Sequence, residues 1–266
     1  RGMDIGSGKD LQDYIIDGQM VPCHLIDLHD AGYKYNIFEY QKDFYAIFET
    51  MMNENKIPVL CGGSGLYIES ILKKHRLVSV PNDAELRKSF DSKSDEELIR
   101  MLASMKKLHN HTDTTSRKRL IRALEIEMYC QKQPLPSEPK TEVKPIIFGI
   151  LFDRDTRRQR ITQRLEERLK NGLIEEVDGL LKKGLSFNDL IYYGLEYKFI
   201  SQYLAGLYSY AEMVDLLNTA IHQFAKRQMT WFRKMEREGF DIHWLEGGLS
   251  LEEKLKLILS QIIQPT

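Results

Sequence analysis

Two short stretches carry side chains whose types and spacing suit anion chemistry. The first is Gly62-Gly-Ser-Gly65, set between the apolar run Ile57 to Cys61 and a helical pattern opening at Leu66. Glycines at a strand-to-helix turn let a ligand approach the backbone, and the first helical N–H groups point at it. Ser64 is the one side chain of that turn able to donate and accept hydrogen bonds. An ordinary tight turn fits the same residues. The second stretch is Ala225-Lys-Arg-Gln-Met-Thr-Trp-Phe-Arg233. Gln228 falls on the apolar stripe of a long helix, with Lys226, Arg227 and Arg233 on its flanks. A glutamine facing a core without partners costs roughly 1–3 kcal/mol. Basic side chains beside a semi-buried amide suit an anionic ligand; a salt-bridged surface helix is the alternative.

These stretches need elements to position them. Val21 to Leu28 and Ile57 to Cys61 read as buried strands. Between them, Tyr35 to Glu54 has apolar residues at helical spacing, with Asn36 and Glu39 placed as a capping box. Strand, helix, strand, helix predicts a parallel sheet. Pro145 to Phe152 and Phe240 to Leu245 add two strands. One helix is expected over 155–183, ended by Gly184, and others at 198–204, Tyr210 to Glu238 and Leu251 to Ile263. Leu217, Ile221, Phe224, Ala225, Trp231, Phe232 and Met235 form the expected core stripe of the 210–238 helix. Tyr192, Tyr193 and Tyr197, around Gly194, fit either base stacking or packing.

Residues 81–139 have a different texture. Helices are expected at Ala84 to Ser89, Asp95 to Leu108 and Thr115 to Tyr129, followed by a linker holding Pro134, Pro136 and Pro139. Such a piece reads as an insertion. Between Arg100 and Arg122 it carries seven Lys or Arg against the single acid Asp113, with His109 and His111 nearby. Arg119 and Arg122 share a helix face. A nucleic-acid contact and a solvated charged face both remain open.

Composition sets the outer limits. The 266 residues suit one sizeable domain or a core with an insertion, and 42% hydrophobic with 29% charged residues predicts a soluble globular protein. A net charge of −1 excludes a globally basic nucleic-acid binder, so such a function would need a local patch. Cys23, Cys61 and Cys130 show no CxxC spacing, which argues against a disulfide framework or zinc site and fits a cytoplasmic protein. No apolar run is long enough to span a membrane. Gly6-Ser-Gly-Lys9 is not a phosphate loop, because Asp10 follows the lysine and no strand precedes it.

Six elements, in order, make the chain resemble the tRNA dimethylallyltransferase (isopentenyltransferase) family. They are Arg1-Gly-Met-Asp-Ile-Gly-Ser-Gly-Lys9, His24-Leu-Ile-Asp27, Ile57 to Tyr67, Arg119-Leu-Ile-Arg-Ala-Leu-Glu125, Arg160-Ile161 with Gly172-Leu173, and Ala225 to Arg233. The resemblance implies an α/β fold: a P-loop-kinase-like parallel sheet flanked by helices, with an all-helical inserted subdomain. Residues 1–80 and 140–266 would form the core, and 81–139 the insertion that grips the tRNA anticodon stem-loop. The implied reaction moves a dimethylallyl group from dimethylallyl diphosphate to the exocyclic amine of the adenosine 3′ of the anticodon, with Mg²⁺ as cofactor. A cytoplasmic monomer without membrane contact is expected.

The resemblance also implies roles. Ser64 orients the adenine amine or the donor, and Gly62, Gly63 and Gly65 let substrate approach. Lys226, Arg227 and Gln228 line the substrate, and Arg227 with Arg233 meets the diphosphate. Arg87 borders the flipped base, and Arg119 and Arg122 hold the RNA backbone. The family's phosphate loop and catalytic aspartate are expected upstream of Arg1. His222 stands where the family has an arginine, which makes one phosphate or RNA contact weaker or protonation-dependent. The alternatives are an isopentenyltransferase for free adenine nucleotides, a small-molecule kinase and a catalytically incomplete RNA-binding fragment.

Overall fold

A computed structural model describes residues 1–106, 114–133 and 141–263. Helices dominate it. Near the start, β1 (Ile15–Ile16) and β2 (Gln19–Met20) make a two-residue antiparallel hairpin. Helix α1 (Ile37–Asn53) begins at the expected capping box, in which the Asn36 side chain accepts from Phe38 and Glu39 N–H. Its buried face of Tyr40, Phe44, Tyr45 and Phe48 packs on Ile71 of α2 (Gly65–Leu72). Gln41 Nε2 donates to the Ser70 and His75 carbonyls at 2.9 Å each, and Tyr45 donates to the Ile71 carbonyl at 3.2 Å. These bonds fix α2 from one side.

The parallel sheet is smaller than the apolar runs predict. Strand β3 (Ile147–Leu151) pairs in parallel with β4 (Ile242–Glu246), Ile147 opposite Ile242 and Leu151 opposite Glu246. Val21 to Leu28 is not a strand: Leu25 and Asp27 adopt left-handed φ angles of 62° and 56°, which an extended ladder does not tolerate. Ile57 to Cys61 forms no strand among the described residues, and Ile57, Val59 and Leu60 are exposed. Pro58 removes one ladder donor from that run.

The expected helix over 155–183 is two helices, α6 (Arg154–Lys170) and α7 (Leu173–Lys182). Gly172, at φ 96°, turns the chain between them, a left-handed conformation that favours glycine. Helices α8 (Phe187–Tyr192) and α9 (Leu195–Leu204) lead to α10 (Tyr210–Arg237), capped by a Ser209–Glu212 box. Leu165, Leu173, Val177, Leu180, Leu190, Ile200, Met213 and Leu217 form the largest core cluster. Tyr197 belongs to it and is 1% exposed, so it packs and offers no face to a base. On α10 the expected stripe is buried at Leu217 and Met235, whereas Phe224 is exposed. Helix α11 (Leu251–Ile263) ends the described chain.

Between these elements, α3 (Ala84–Phe90), α4 (Asp95–Met105) and α5 (Arg117–Lys132) enclose their own cluster of Phe90, Leu98, Leu102, Leu120, Ala123 and Leu124. The expected residues Lys107, His109, His111 and Asp113 and the proline linker from 134 to 139 lie outside the described residues. No helix among the described residues is long and apolar enough to cross a membrane.

Candidate active site

Helix α2 is held between α1 and α10, and the glycine turn is its leading edge. Gln228 Nε2 donates to the Gly63 carbonyl at 2.9 Å, which supplies the partner this stripe glutamine requires. Trp231, three residues on, lays its indole against Gly65, and its Nε1 is buried without a hydrogen-bond partner. Three residues further, Lys234 Nζ donates to Glu69 at 3.1 Å and sits over the Trp231 ring. Positions 228, 231 and 234 recur at a spacing of three, so one face of α10 clasps α2. Lys73 joins the clasp by pairing with Glu69 and, at 2.7 Å, with Glu238. Burial would raise the Glu69 carboxyl, but hydrogen bonds from Lys73 and Lys234 outweigh it and bring the pKa below its ordinary value.

This arrangement changes the reason for the glycines. A Cβ on Gly63 would lie 2.6 Å from Gln228 Nε2, and one on Gly65 would lie 2.7 Å from Trp231 Nε1. Both positions make room for protein side chains. Only Gly62 faces open space, with nothing within 4 Å of a Cβ there. None of the three needs a left-handed φ.

The clasp leaves a set of polar groups unspent. Ser64 is the N-cap of α2, is exposed, and its side chain makes no capping bond. Ser64 therefore leaves the first N–H groups of α2 without a side-chain cap of its own, and an uncapped helix N-terminus attracts anions. Lys226, Arg227 and Arg233 are exposed and have no carboxylate partner among the described residues. Arg227 lies 5.8 Å over the exposed Phe224 ring. One turn before Lys226, His222 faces α6 across a polar cleft of about 560 Å³, lined also by Arg158, Thr162, Asn218 and Glu166. Thr162 Oγ1 is 3.3 Å from His222 Nε2. Burial, then Arg158 and Arg157, hold the His222 imidazole below its ordinary pKa.

Arg87, Arg119 and Arg122 sit in the helical unit and differ in circumstance. Arg87 and Arg122 both bond the carboxylate of Glu125, whereas Arg119 bonds the Thr115 hydroxyl, at 3.1 Å, and pairs with no carboxylate among the described residues. Glu125 was not legible as a functional position, although its place three residues after Arg122 was the available signal. Glu176 had no such signal. It accepts the N–H groups of Asp4, Ile5 and Gly6 at 2.9, 2.7 and 3.1 Å and the Tyr197 hydroxyl at 2.8 Å, anchoring the Met3-Asp-Ile-Gly6 loop on α7. Lys9 is spent on Asp4 and Asp27, in keeping with a turn that is not a phosphate loop.

No group of three or more His, Cys, Asp or Glu among the described residues could hold a metal ion. These side chains do not by themselves build a Mg²⁺ cage.

A small parallel sheet, a glycine turn braced on a basic helix and a helical unit with its own core together define an α/β protein. The IPP transferase family model matches residues 1–235, and the chain belongs to that family. It is 53% identical over 262 residues to tRNA dimethylallyltransferase 2 of Bacteroides fragilis, covering 98% of this chain and 86% of that protein. Its fold is similar to the crystal structure of a tRNA isopentenylpyrophosphate transferase from Bacillus halodurans, with a TM-score of 0.68, 27% identity and coverage of 99% and 83%. A eukaryotic dimethylallyltransferase acting on tRNA shares the fold at a TM-score of 0.71 and 16% identity, over 98% of this chain and 70% of that one.

Proposed function

We propose that the chain is a tRNA prenyltransferase. It moves a dimethylallyl group from dimethylallyl diphosphate to the exocyclic amine of the adenosine 3′ of the anticodon. The observation that carries this reading is the clasped glycine turn, which holds the exposed Ser64 at the start of α2 against α10, where Arg227, next to the clasping Gln228, has no carboxylate partner among the described residues. Membership of the family and the likeness to a tRNA dimethylallyltransferase support it.

The reaction forms a bond from the amine nitrogen to the allylic carbon, breaks the carbon–oxygen bond to diphosphate and releases the amine proton. An aryl amine is a weak nucleophile, so positioning and neutralisation of the leaving group dominate. Arg227 and Arg233 meet the diphosphate, since a guanidinium binds two oxygens at once. Lys226 adds positive charge, and Ser64 orients the adenine amine or the donor. The target base must leave its stack to reach them. Mg²⁺, carried chiefly by the diphosphate oxygens, would neutralise leaving-group charge. Arg119 on the helical unit holds the RNA backbone, which positions without reading sequence.

The test supplies labelled dimethylallyl diphosphate to the protein with tRNA, an anticodon stem-loop or AMP. Label in both RNAs and none in AMP is expected. Transfer to AMP alone would establish the free-nucleotide activity instead.

A further inference from the structure

Glu125 is a buried carboxylate held by four hydrogen bonds, outside the glycine-turn site. It is 2% exposed, in the middle of α5. Its oxygens accept Arg87 Nε and Nη2 at 2.7 Å each, Arg122 Nη1 at 3.1 Å and the Asp83 N–H at 3.2 Å. The same arginines reach the segment by which the chain enters the helical unit. Arg122 Nη2 donates to the Val80 carbonyl at 2.7 Å, and Arg87 Nη2 donates to Asn82 Oδ1 at 2.8 Å. Burial would raise the Glu125 carboxyl, but the bonds from Arg87, Arg122 and Asp83 overcome it and bring it down to about 2. It is therefore a carboxylate at neutral pH, and it neutralises one of its two guanidinium partners.

The basic face of α5 is thus divided. Arg117 is turned inward, donating to the Phe90 and Lys93 carbonyls at 2.7 and 3.0 Å and pairing with Asp95. Arg122 is turned inward on Glu125 and Val80. Lys118 and Arg119 are exposed, without a carboxylate partner among the described residues. Both can give a phosphate their full charge without breaking an ion pair recorded among the described residues, although Arg119 would give up its bond to the Thr115 hydroxyl.

We propose that Glu125 is a positioning residue: through Arg87 and Arg122 it locks the 80–83 junction and so sets the direction in which α5 presents Lys118 and Arg119 to the RNA backbone. Arg87 and Arg122 then serve the junction, not the phosphates. This rests on the tRNA reading above.

Counterion release separates the two kinds of arginine. A phosphate contact contributes about one unit to the slope of log affinity against log salt, and a positioning contact contributes none. Binding of an anticodon stem-loop by fluorescence anisotropy across a salt series reads that slope. Arg119→Ala should lower it by about one, and Lys118→Ala likewise. Arg87→Ala and Arg122→Ala should weaken binding in the unaltered background, and neither should lower the slope further once Lys118→Ala/Arg119→Ala has removed the cations they position. Glu125→Gln, which keeps the shape and removes the charge, should raise KM for tRNA about tenfold, with kcat moving much less. The double variant Glu125→Gln/Arg122→Ala should be less than additive, as expected for side chains in one network. Wild-type affinity in Glu125→Gln, or a further slope loss of about one when Arg122→Ala is added to Lys118→Ala/Arg119→Ala, would overturn the proposal. If Glu125→Gln does not fold, the slope of Lys118→Ala/Arg119→Ala with and without Arg122→Ala decides the matter alone. Absence of stem-loop binding by the unaltered protein would instead refute the tRNA reading.

Discussion

Gly65→Ala tests whether the glycine turn is held by α10. A Cβ there would lie 2.7 Å from Trp231 Nε1 and closer still to the neighbouring ring carbons, whereas ordinary contact begins at 3.4 Å. The ring or the turn must yield. Trp231 cannot swing freely, because Gln228 before it is bonded to Gly63 and Lys234 after it is bonded to Glu69. Relief then means separating α2 from α10 by about 1 Å, an overpacking that costs about 1–3 kcal/mol. A displacement of that size in a catalytic group lowers turnover by about 100-fold. Urea unfolding reads the first effect and single-turnover transfer to tRNA the second. Gly62→Ala is the control: it meets nothing within 4 Å and should leave the unfolding midpoint unchanged. Adding Trp231→Leu to Gly65→Ala should recover part of the lost stability by vacating the contested space. A Gly65→Ala protein with wild-type midpoint and turnover would refute the clasp.

Three other outcomes follow from the same geometry. Ser64→Ala should lower turnover with little change in tRNA affinity, since the hydroxyl makes no capping bond and its loss leaves α2 intact; unchanged turnover would remove Ser64 from the chemistry. Glu176→Ala leaves three backbone N–H groups and the Tyr197 hydroxyl unpaired, a cost of about 1–3 kcal/mol, and hydrogen exchange at residues 4–6 should rise; full protection would show that another group holds the loop. His222 has a folded pKa below its ordinary 6.5, so the unfolded chain binds the extra proton first. Its stabilising contribution is complete above that pH and is lost as pH falls through the folded value; His222→Asn should flatten urea midpoints below about pH 6.5, and an unaltered profile would contradict the assignment.

Where local signals were self-contained, the sequence was readable. Asn36 and Glu39 announced the start of α1, and the spacing along 210–238 and 251–263 gave α10 and α11 almost to the residue. Apolar runs without a partner were not readable. Ile57 to Cys61 looks like a core strand but pairs with nothing among the described residues, and the left-handed Leu25 and Asp27 are invisible in a Leu-Ile-Asp string. Gly172 looked like a residue inside a helix because the apolar stripe resumes in phase after it. The site residues on 62–65 and 226–233 were located as two separate stretches. What joins them, Gln228 on Gly63 and Trp231 on Gly65, spans more than 160 residues of chain and leaves no periodic trace. The same holds for Glu176, whose partners lie near the start of the chain.

The most direct measurement is the nucleoside content of tRNA after reaction with the protein and dimethylallyl diphosphate, mapped by nuclease digestion and mass spectrometry. The account predicts one five-carbon prenyl unit on the exocyclic amine of the adenosine 3′ of the anticodon and on no other nucleotide. A prenyl group elsewhere in the tRNA, or on free adenine nucleotide with the tRNA unmodified, would contradict it.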